Sequence, residues 1–377
     1  MLFRQDGQAE TRWDQVVETF GFREKAVCVI EARYHDSVNV LQEMFAVSGP
    51  DGDEALGALE ARAPFDRAEW YALLADTGLT PLIAMAQDED NRAALALTEN
   101  DGRLGPLRNW YSFTWRQLAP SGPRGNALLE AIARQLRSRG HRVTLAPVPE
   151  EDGSASRLAL AFAKAGWRVE VSRCDTNHVL SVNGRRFAEY WAQRPGALRS
   201  TLKRKAGRVK TVIFDRFDAE AWDHYESVYA ASWKPSEDQP AMLRAFAANE
   251  GKAGRLRLGL AYCAGAPVAA QFWTVENCAA IINKLAHLES HKHLSAGTTL
   301  SAALFERVID QDRVDHIDFG TGDEAYKRDW MEATRPRYQI DCLDMRQPAA
   351  WFDLVRLALR RLRNADVPAL ARFPLED

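Results

Sequence analysis

Residues 314–330 read Val-Asp-His-Ile-Asp-Phe-Gly-Thr-Gly-Asp-Glu-Ala-Tyr-Lys-Arg-Asp-Trp, and this stretch decides the fold. Its apolar start predicts a short buried strand, which the two glycines end. The acidic pair Asp323 and Glu324 predicts a helix start, because the helix dipole stabilises carboxylates at that end. The phenol of Tyr326 and the ammonium of Lys327 therefore follow the carboxyl end of a strand. Open α/β sheets carry their sites at that edge, although an ordinary turn with a surface lysine has the same pattern.

A second strand, turn and helix precede this stretch. Residues 279–289 predict a strand, and the apolar residues of 300–310 follow the i, i+4, i+5, i+8 spacing of a helix that packs on one face. The loop between them contains Ser-Ala-Gly-Thr-Thr at 295–299, where the unpaired N–H groups of a first helical turn can hold an anion. The glycine spacings of a P-loop and of a dinucleotide fingerprint are both missing. A helix capped by a serine or threonine hydroxyl would explain the loop without any ligand.

Together the two segments resemble GNAT acyltransferases of the CelD (cellulose-biosynthesis) type, which are relatives of the FemABX peptidyltransferases. The resemblance covers residues 197–344 and opens with Leu-Arg-Ser-Thr-Leu-Lys-Arg-Lys at 198–205. Its most specific block is Gly-Asp-Glu-Ala-Tyr-Lys-Arg-Asp-Trp at 322–330. The resemblance implies an α/β fold with tandem GNAT-like domains, each a twisted mixed sheet flanked by helices.

The order of predicted elements agrees with such a duplication. Helices, an antiparallel hairpin and then alternating helices and strands occur in both halves, with the first hairpin at residues 81–98. Residues 13–20 and 37–47 predict helices. We predict a degenerate N-terminal GNAT-like domain at residues 1–192 and a C-terminal GNAT acyltransferase domain at 193–377, closed by its last helix.

The composition is that of an ordinary globular protein. The chain has 377 residues, of which 46% are hydrophobic and 27% charged, and its formal net charge is -3. This charge balance gives no reason to expect nucleic acid as a partner. The 5 cysteines contain no C-x-x-C pair, so we expect neither a disulfide framework nor a bound metal. Because the chain shows no signal-peptide pattern and no apolar run of about 20 residues, we expect a cytoplasmic protein without a membrane span.

The resemblance implies acetyl-CoA or another acyl-CoA as the donor substrate. In the GNAT fold the pantetheine arm pairs with a strand edge where two parallel strands diverge, and here these are the strands at 279–289 and 314–319. The pyrophosphate then lies against the N–H groups at the start of the following helix. The predicted cofactor-binding residues are Leu294, Ser295, Ala296, Gly297, Thr298 and Thr299.

Four residues are predicted to take part in the chemistry. His287 and Glu289 share one face at the end of a strand, and either can act as the general base. Tyr326 is the predicted general acid for the leaving thiolate. Lys327 is predicted to hold the acceptor or a phosphate, and FemABX relatives have an important lysine in a similar position. The predicted substrate-binding residues are Trp233, Lys234, Gln271, Trp273 and Asp323.

These residues predict transfer of an acyl group, most simply acetyl, to an amine or hydroxyl acceptor by direct attack. The acceptor is expected to be a small molecule, a glycan or a peptide, with envelope polysaccharide metabolism as one setting. One alternative is a FemABX-like transferase that takes an aminoacyl group from tRNA. The basic segment at 194–210 would suit such a partner, although a solvated helix explains it more simply. Another alternative is a non-catalytic GNAT-like scaffold.

The predicted tail helix at residues 350–363 is amphipathic. Its apolar face comprises Phe352, Val355, Leu359 and Leu362, and its arginines are Arg356, Arg360, Arg361 and Arg363. Contact with a membrane surface is one interpretation of this pattern. Packing of the apolar face against the core is the simpler interpretation and the one we expect.

Overall fold

The chain forms two compact units. The first comprises Met1–Asp175 together with Pro336–Asp377, and the second comprises Thr176–Arg335. This partition differs from the predicted boundary after residue 192, and it assigns the tail helix to the first unit. The residues that the computed structural model describes are 27–35, 38–46, 61–88 and 91–363.

The strands and helices are numbered in chain order. The strands are β1 (Val27–His35), β2 (Val38–Ala46), β3 (Leu82–Gln87), β4 (Arg92–Asn100), β5 (Arg103–Pro106), β6 (Arg142–Val148), β7 (Arg168–Ser181), β8 (Lys210–Phe214), β9 (Leu256–Cys263), β10 (Ala266–Glu276), β11 (Ala279–His287), β12 (His316–Thr321) and β13 (Ala333–Leu343). The helices are α1 (Ala68–Asp76), α2 (Pro123–Leu136), α3 (Ser154–Lys164), α4 (Phe187–Ala192), α5 (Gly196–Lys205), α6 (Ala219–Ala230), α7 (Pro240–Lys252), α8 (Ala296–Glu306) and α9 (Pro348–Arg363). Within the described ranges, none of the helices combines the length and the apolar character that crossing a bilayer requires.

The first unit is a mixed sheet in the order β2-β1-β3-β4-β5-β6-β13. The β1–β3 and β5–β6 pairs are parallel, and the other neighbours are antiparallel. The predicted hairpin is confirmed as β3 and β4, which pair from Leu82↔Leu97 to Gln87↔Arg92. Apolar side chains of β3, β4, β6, α2 and α3 form the core of this unit.

The last strand and helix belong to the first unit because of β13. Its residues from Tyr338 onward pair with β6, and Tyr338, Ile340 and Cys342 lie in the core of the first unit. The helix α9 is fixed to the same unit by the buried carboxylate of Asp353, which accepts hydrogen bonds from Arg103. Local sequence patterns do not reveal strand partners so distant in the chain, which is why the predicted domain bounds differ from this partition.

The helix predicted at residues 37–47 is wrong, because the structure has the strand β2 there. β2 pairs with β1 in an antiparallel register that runs from Val27↔Ala46 to His35↔Val38. Over so short a run the apolar spacing suits either element, and pairing with the neighbouring strand decides. The helix predicted at residues 13–20 lies outside the described residues.

The second unit is a mixed sheet in the order β7-β12-β11-β10-β9-β8. The helix α8 packs on β9 and β10, and it lies close to β9 because residue 259 is a glycine. A Cβ at Gly259 would come within 2.8 Å of Leu304 Cδ1 and 3.0 Å of Leu300 Cδ1. Both leucines are fully buried in the core of this unit, together with Phe305.

The parallel strands β11 and β12 diverge soon after they pair. Their register consists of Ala279↔His316, Ala280↔Ile317 and Ile281↔Asp318, although β11 continues to His287. On its other edge β11 remains paired with β10 as far as Ala269↔His287. The divergence leaves one edge of β11 available for pairing beyond Ile281 in the described structure, as the acyl-CoA prediction requires.

Candidate active site

The helix α8 begins just after β11, where the sequence predicts a pyrophosphate cradle. Ser295 adopts a left-handed conformation (φ 54°) before the helix, which starts at Ala296, one turn earlier than expected. The N–H of Thr299 closes the first turn on Ser295 O at 3.1 Å. The first-turn N–H groups without an intrahelical acceptor are therefore those of Ala296, Gly297 and Thr298.

A lysine reinforces the positive end of α8. Lys205, the last residue of α5, donates from Nζ to the Ser295 hydroxyl at 3.1 Å. The side chains of Leu294, Ala296 and Thr299 are buried. The N–H and the hydroxyl of Thr299 both donate to Ser295 O, so Thr299 has no donor left for a ligand. The helix dipole and the ammonium together make this N-terminus favourable for an anion.

His287 connects the start of α8 with the loop after α6. Its Nδ1 lies 3.5 Å from the position that a Cβ on Gly297 would occupy. On its other side is the ring of Trp233, with the two ring centroids 4.2 Å apart. A backbone bridge between Ser232 and Leu288 holds this loop against the end of β11. The predicted base and the predicted cradle therefore belong to one site.

The surroundings of His287 favour a neutral imidazole. Burial lowers the pKa of His287, although Glu289 acts in the opposite direction. Its Nε2 is buried and lies 3.4 Å from Glu289 Oε1. This nitrogen has hydrogen-bond geometry to no described group. The Glu289 side chain is 47% exposed, and its Oε2 lies 3.3 Å from Lys292 Nζ, so this carboxylate already has a cation as its partner. His287 is thus the better candidate for the general base.

Lys234 supplies a cation near these groups. Burial lowers the pKa of Lys234, and the charges that act on it include those of Glu324 and Lys327. Its Nζ lies 5.4 Å from the centroid of the Trp233 ring. Among the described residues this ammonium has no hydrogen bond and no ion pair, so it can meet a ligand.

An ion pair that the sequence did not indicate lies beside Lys234. Lys284 Nζ lies 2.8 Å from Glu237 Oε1, and both side chains are largely buried. Burial lowers the pKa of Lys284, and the hydrogen bond to Glu237 opposes that shift. Glu237 comes from the loop between α6 and α7, whose polar sequence gave no signal of a buried role.

The turn after β12 is fixed by an asparagine of β7. Asn177 Nδ2 donates to Asp318 Oδ1 at 2.6 Å and to Gly320 O at 2.9 Å. Asp318 Oδ1 also accepts from the N–H of Gly320 at 2.7 Å. These bonds hold the start of the Gly-Thr-Gly turn. The segment that follows, Ala325–Asp329, is a short 3-10 helix where the sequence predicts an α-helix.

Lys327 holds this turn together, which differs from its predicted role. It is only 3% exposed, and its Nζ donates to the carbonyl oxygens of Thr321 and Gly322. The same ammonium lies 2.8 Å from Glu324 Oε2. With its three donors in use inside its own turn, Lys327 has none left for an acceptor or a phosphate. It therefore positions the neighbouring Tyr326.

Tyr326 is the partly exposed phenol of the turn. Its ring meets the ring of Phe319 edge-on, with the centroids 5.6 Å apart, and it remains 39% exposed. Burial raises the pKa of Tyr326 well above that of an ordinary phenol, and Glu324 adds to the shift. The hydroxyl therefore keeps its proton at neutral pH and can donate it.

The remaining predicted substrate-binding residues have structural partners. Asp323 accepts from Arg328 at 2.9 Å and lies 2.7 Å from His178 Nε2, and these two groups, Arg328 first, lower the pKa of Asp323. Gln271 is 1% exposed and donates to Gly297 O and to Ser301 Oγ, while Trp273 is fully buried. Packing under α8 therefore removes Gln271 and Trp273 from any substrate surface, contrary to the prediction.

Three separate segments thus supply the site. Trp233 and Lys234 come from the loop after α6, His287 from the end of β11 and Tyr326 from the turn after β12. Sequence reasoning missed Lys205, Glu237 and the His178–Asp323 contact, because each pairs with a residue far away in the chain. Within the described ranges, no group of three or more His, Cys, Asp or Glu side chains is arranged to hold a metal ion.

Comparison with known proteins gives a family-model match and several solved structures of similar fold. Residues 196–328 match the family model described as an acetyltransferase (GNAT) domain. The crystal structure of FemX covers 80% of this chain and 96% of its own, with a TM-score of 0.58 at 9% identity. The match to L-PGS from Bacillus licheniformis covers 77% of this chain and 90% of that one, with a TM-score of 0.50 at 11% identity. The C-terminal domain of a lysylphosphatidylglycerol synthetase candidate from Agrobacterium fabrum covers 77% and 91%, with a TM-score of 0.52 at 12% identity.

The stretch that matches this GNAT domain model lies wholly within the second unit. The solved structures extend the likeness of fold over both units. The predicted α/β fold, with mixed sheets flanked by helices, is confirmed. No curated protein sequence matches the chain closely enough to be counted as a relative.

Proposed function

We propose that the second unit transfers an acyl group, most simply acetyl, from an acyl-CoA to an amine or hydroxyl acceptor by direct attack. The observation that carries the proposal is the position of His287 Nδ1, 3.5 Å from where a Cβ on Gly297 would lie. With its lowered pKa, the imidazole would serve there as a neutral base beside the first turn of the helix that would hold the donor.

The donor has a matching place in the second unit. The pantetheine arm would pair with the edge of β11 beyond Ile281, where β12 has diverged. The pyrophosphate would lie on the N–H groups of Ala296, Gly297 and Thr298, with Lys205 beside it. The pantetheine and pyrophosphate contacts would use backbone groups, and Lys205 would add the ammonium that reaches Ser295.

The chemical step needs one base and one proton donor. His287 takes a proton from the acceptor as its nitrogen or oxygen attacks the thioester carbon, and Glu289 stabilises the imidazolium that forms. The carbon–sulfur bond then breaks, and the thiolate leaves with a hydrogen bond from the Tyr326 hydroxyl while the His287 imidazolium keeps the acceptor's proton. An ordinary thiol has a pKa of about 8.5 and a phenol about 10, so the raised pKa of Tyr326 makes it above all a hydrogen-bond donor to that thiolate.

Lys234 and Trp233 suit an acceptor that carries an anionic group. The ammonium of Lys234 is half-buried, so a carboxylate or phosphate placed there would be less screened than at an open surface. The indole of Trp233 is 46% exposed beside His287 and offers an apolar wall. We place the acceptor between these two side chains and the imidazole.

The basic helix α5 favours a second candidate function. Lys203, Arg208 and Lys210 are exposed, and Lys205 of the same segment reaches the start of α8. A FemABX-like transferase that takes its aminoacyl group from tRNA would use such a surface. The resemblance in fold to FemX and to the lysylphosphatidylglycerol synthetase domain supports this candidate at the level of fold alone.

Binding measurements separate the two donors. If the donor is an acyl-CoA, acetyl-CoA raises the unfolding temperature and unacylated tRNA binds weakly at every salt concentration. If the donor is aminoacyl-tRNA, the tRNA binds tightly with a steep dependence on salt. Loss of that binding when Lys203, Arg204 and Lys205 are replaced by alanine would refute the acyl-CoA proposal. Replacement of Arg124 and Arg134 on α2 of the first unit is the control for charge alone.

A further inference from the structure

The helix α9 presents an apolar surface to solvent. Trp351 is 59% exposed, Phe352 73%, Val355 58% and Leu359 50%. The expectation that this face packs against the core is therefore wrong. The helix does pack against the first unit, but through a different side.

The packed side and the exposed apolar side lie on opposite faces of α9. At 100° per residue, the four exposed apolar side chains occupy an arc of about 100°. The buried residues Ala350, Asp353 and Leu357 lie around the opposite side of the helix. An exposed apolar arc of this width on a helix is a mark of an interaction surface.

Arginines border the apolar arc. Arg356 has a side chain that is 68% exposed, at one edge of the arc, 3.7 Å from the buried Asp353 carboxylate. The same sequence continues with Arg360, Arg361 and Arg363, and α9 runs to Arg363. Asp353 is the sole acidic residue in α9, and Arg103 and His141 already contact its carboxylate. The helix therefore combines apolar and positively charged surface with no exposed carboxylate of its own.

We propose that α9 binds the surface of a membrane that contains anionic phospholipids. The arc of Trp351, Phe352, Val355 and Leu359 would enter the boundary between headgroups and acyl chains, and Arg356 at its edge would contact lipid phosphates. The helix lies on the bilayer, because its 16 residues are about 24 Å long and carry four arginines.

Charge favours a lipid surface over a second copy of this chain. Two copies of α9 packed antiparallel along their apolar arcs would bring the two Arg356 side chains together near the middle of the helices. Like charges in contact oppose such a pairing. An anionic bilayer, in contrast, attracts every arginine of the helix.

Flotation of the full chain with phosphatidylcholine vesicles, with and without phosphatidylglycerol, tests the proposal. We expect binding only with phosphatidylglycerol, and weaker binding as salt rises. Phe352→Ser and Leu359→Ser should each lower the partition coefficient about tenfold, and Arg356→Gln about fivefold. Because these side chains are exposed, the variants should unfold at the wild-type temperature. The control is Trp110→Ser, which removes an aromatic residue that is 79% exposed in the same unit.

Two results would overturn the proposal. The first is a wild-type protein that does not bind the anionic vesicles, or that binds them as well after Phe352→Ser. The second is self-association of the wild type, seen by light scattering, that disappears in Phe352→Ser while vesicle binding is absent. That result would make a second copy of the chain the occupant of this surface.

Discussion

Each unit has a helix that begins beside two diverging parallel strands, but the space at the start of that helix differs between the units. In the first unit β5 and β6 pair only at Arg103↔Arg142 and Leu104↔Val143, and α2 is the helix that follows β5. The carbonyl oxygen of Pro120 lies 1.9 Å from the position that a Cβ on Gly125 would occupy. The preceding loop of the chain therefore fills the space at the start of α2.

In the second unit a side chain, and no loop backbone, borders the corresponding space. The three atoms nearest to a Cβ on Gly297 all belong to His287, and the closest lies at 3.5 Å. In the first unit, by contrast, Arg157 donates to Pro120 O at 2.6 Å and keeps the loop in place. The two units have similar helix N-termini, and the packing of the preceding loop determines which of them a ligand could reach.

The turns that follow the next strand differ as well. In the first unit the turn after β6 contains Glu150, Glu151 and Asp152. Asp152 lies 2.9 Å from Arg116 and Glu151 lies 2.8 Å from Arg337, so these carboxylates serve ion pairs within the unit. The turn after β12 carries Tyr326 instead. We therefore propose that the chemistry belongs to the second unit and that the first is the degenerate copy.

The largest effect should come from Tyr326→Phe. It keeps the ring against Phe319 and removes only the hydroxyl, so turnover should fall about 10²–10⁴-fold with unchanged affinity for acetyl-CoA. Turnover is measured as release of free CoA thiol with a panel of amines. In the first unit, Tyr71→Phe removes a fully buried hydroxyl that bonds no described group, and turnover should stay the same. Equal turnover in wild type and Tyr326→Phe would remove the phenol from the mechanism.

The next largest effect should be a shift in the pH dependence of kcat/KM. Burial keeps the pKa of His287 below its ordinary value of about 6.5, so a neutral base is lost only as the pH falls through that lower pKa. Trp233→Ala exposes the imidazole to water, which should raise its pKa and move the acid limb of kcat/KM to higher pH. Trp110→Ala, in the first unit, should leave the limb in place. An unmoved limb in Trp233→Ala would point to a base other than His287.

Lys327→Met should have a smaller effect, and mainly on stability. It leaves the carbonyl oxygens of Thr321 and Gly322 without their donor, so the free energy of unfolding should fall by about 1–3 kcal/mol. Turnover should fall with it, because the turn that carries Tyr326 loosens. Lys164→Met, at an exposed lysine of α3, is the control, and both are followed by thermal unfolding. A fully stable Lys327→Met protein without turnover would instead give the lysine a direct chemical role.

Local sequence patterns predicted the parts of the site that depend only on the order of strands, turns and helices. The strand, the glycine turn and the delivery of Tyr326 follow from residues close together in the sequence, as does the start of α8 after β11. The direction of the Lys327 ammonium did not follow, because the pattern does not show whether a lysine faces solvent or the carbonyl oxygens of its own turn. The burial of Gln271 and Trp273 depends on where α8 packs, and a period-2 strand pattern contains no information about that.

Contacts between distant segments account for the other differences. The hydrogen bond between His178 and Asp323 and the pairing of β13 with β6 join residues far apart in the chain. Sequence patterns were likewise insufficient for α9, because its arc of apolar residues has the spacing of a face that packs against a core. Which side of an amphipathic helix is covered depends on the surface that receives it.

The central claim is that the donor binds at α8 of the second unit, and thermal unfolding with acetyl-CoA tests it most directly. A ligand at about 100 times its Kd stabilises a protein by about 2.7 kcal/mol. Gly297→Glu, which sets a carboxylate against the first turn of α8, should abolish this stabilisation. Gly196→Glu, in open space at the start of α5, and Ser121→Glu, beside α2 of the first unit, should retain it. A folded Gly297→Glu protein that keeps the full stabilisation would contradict the account, and so would its loss in Ser121→Glu.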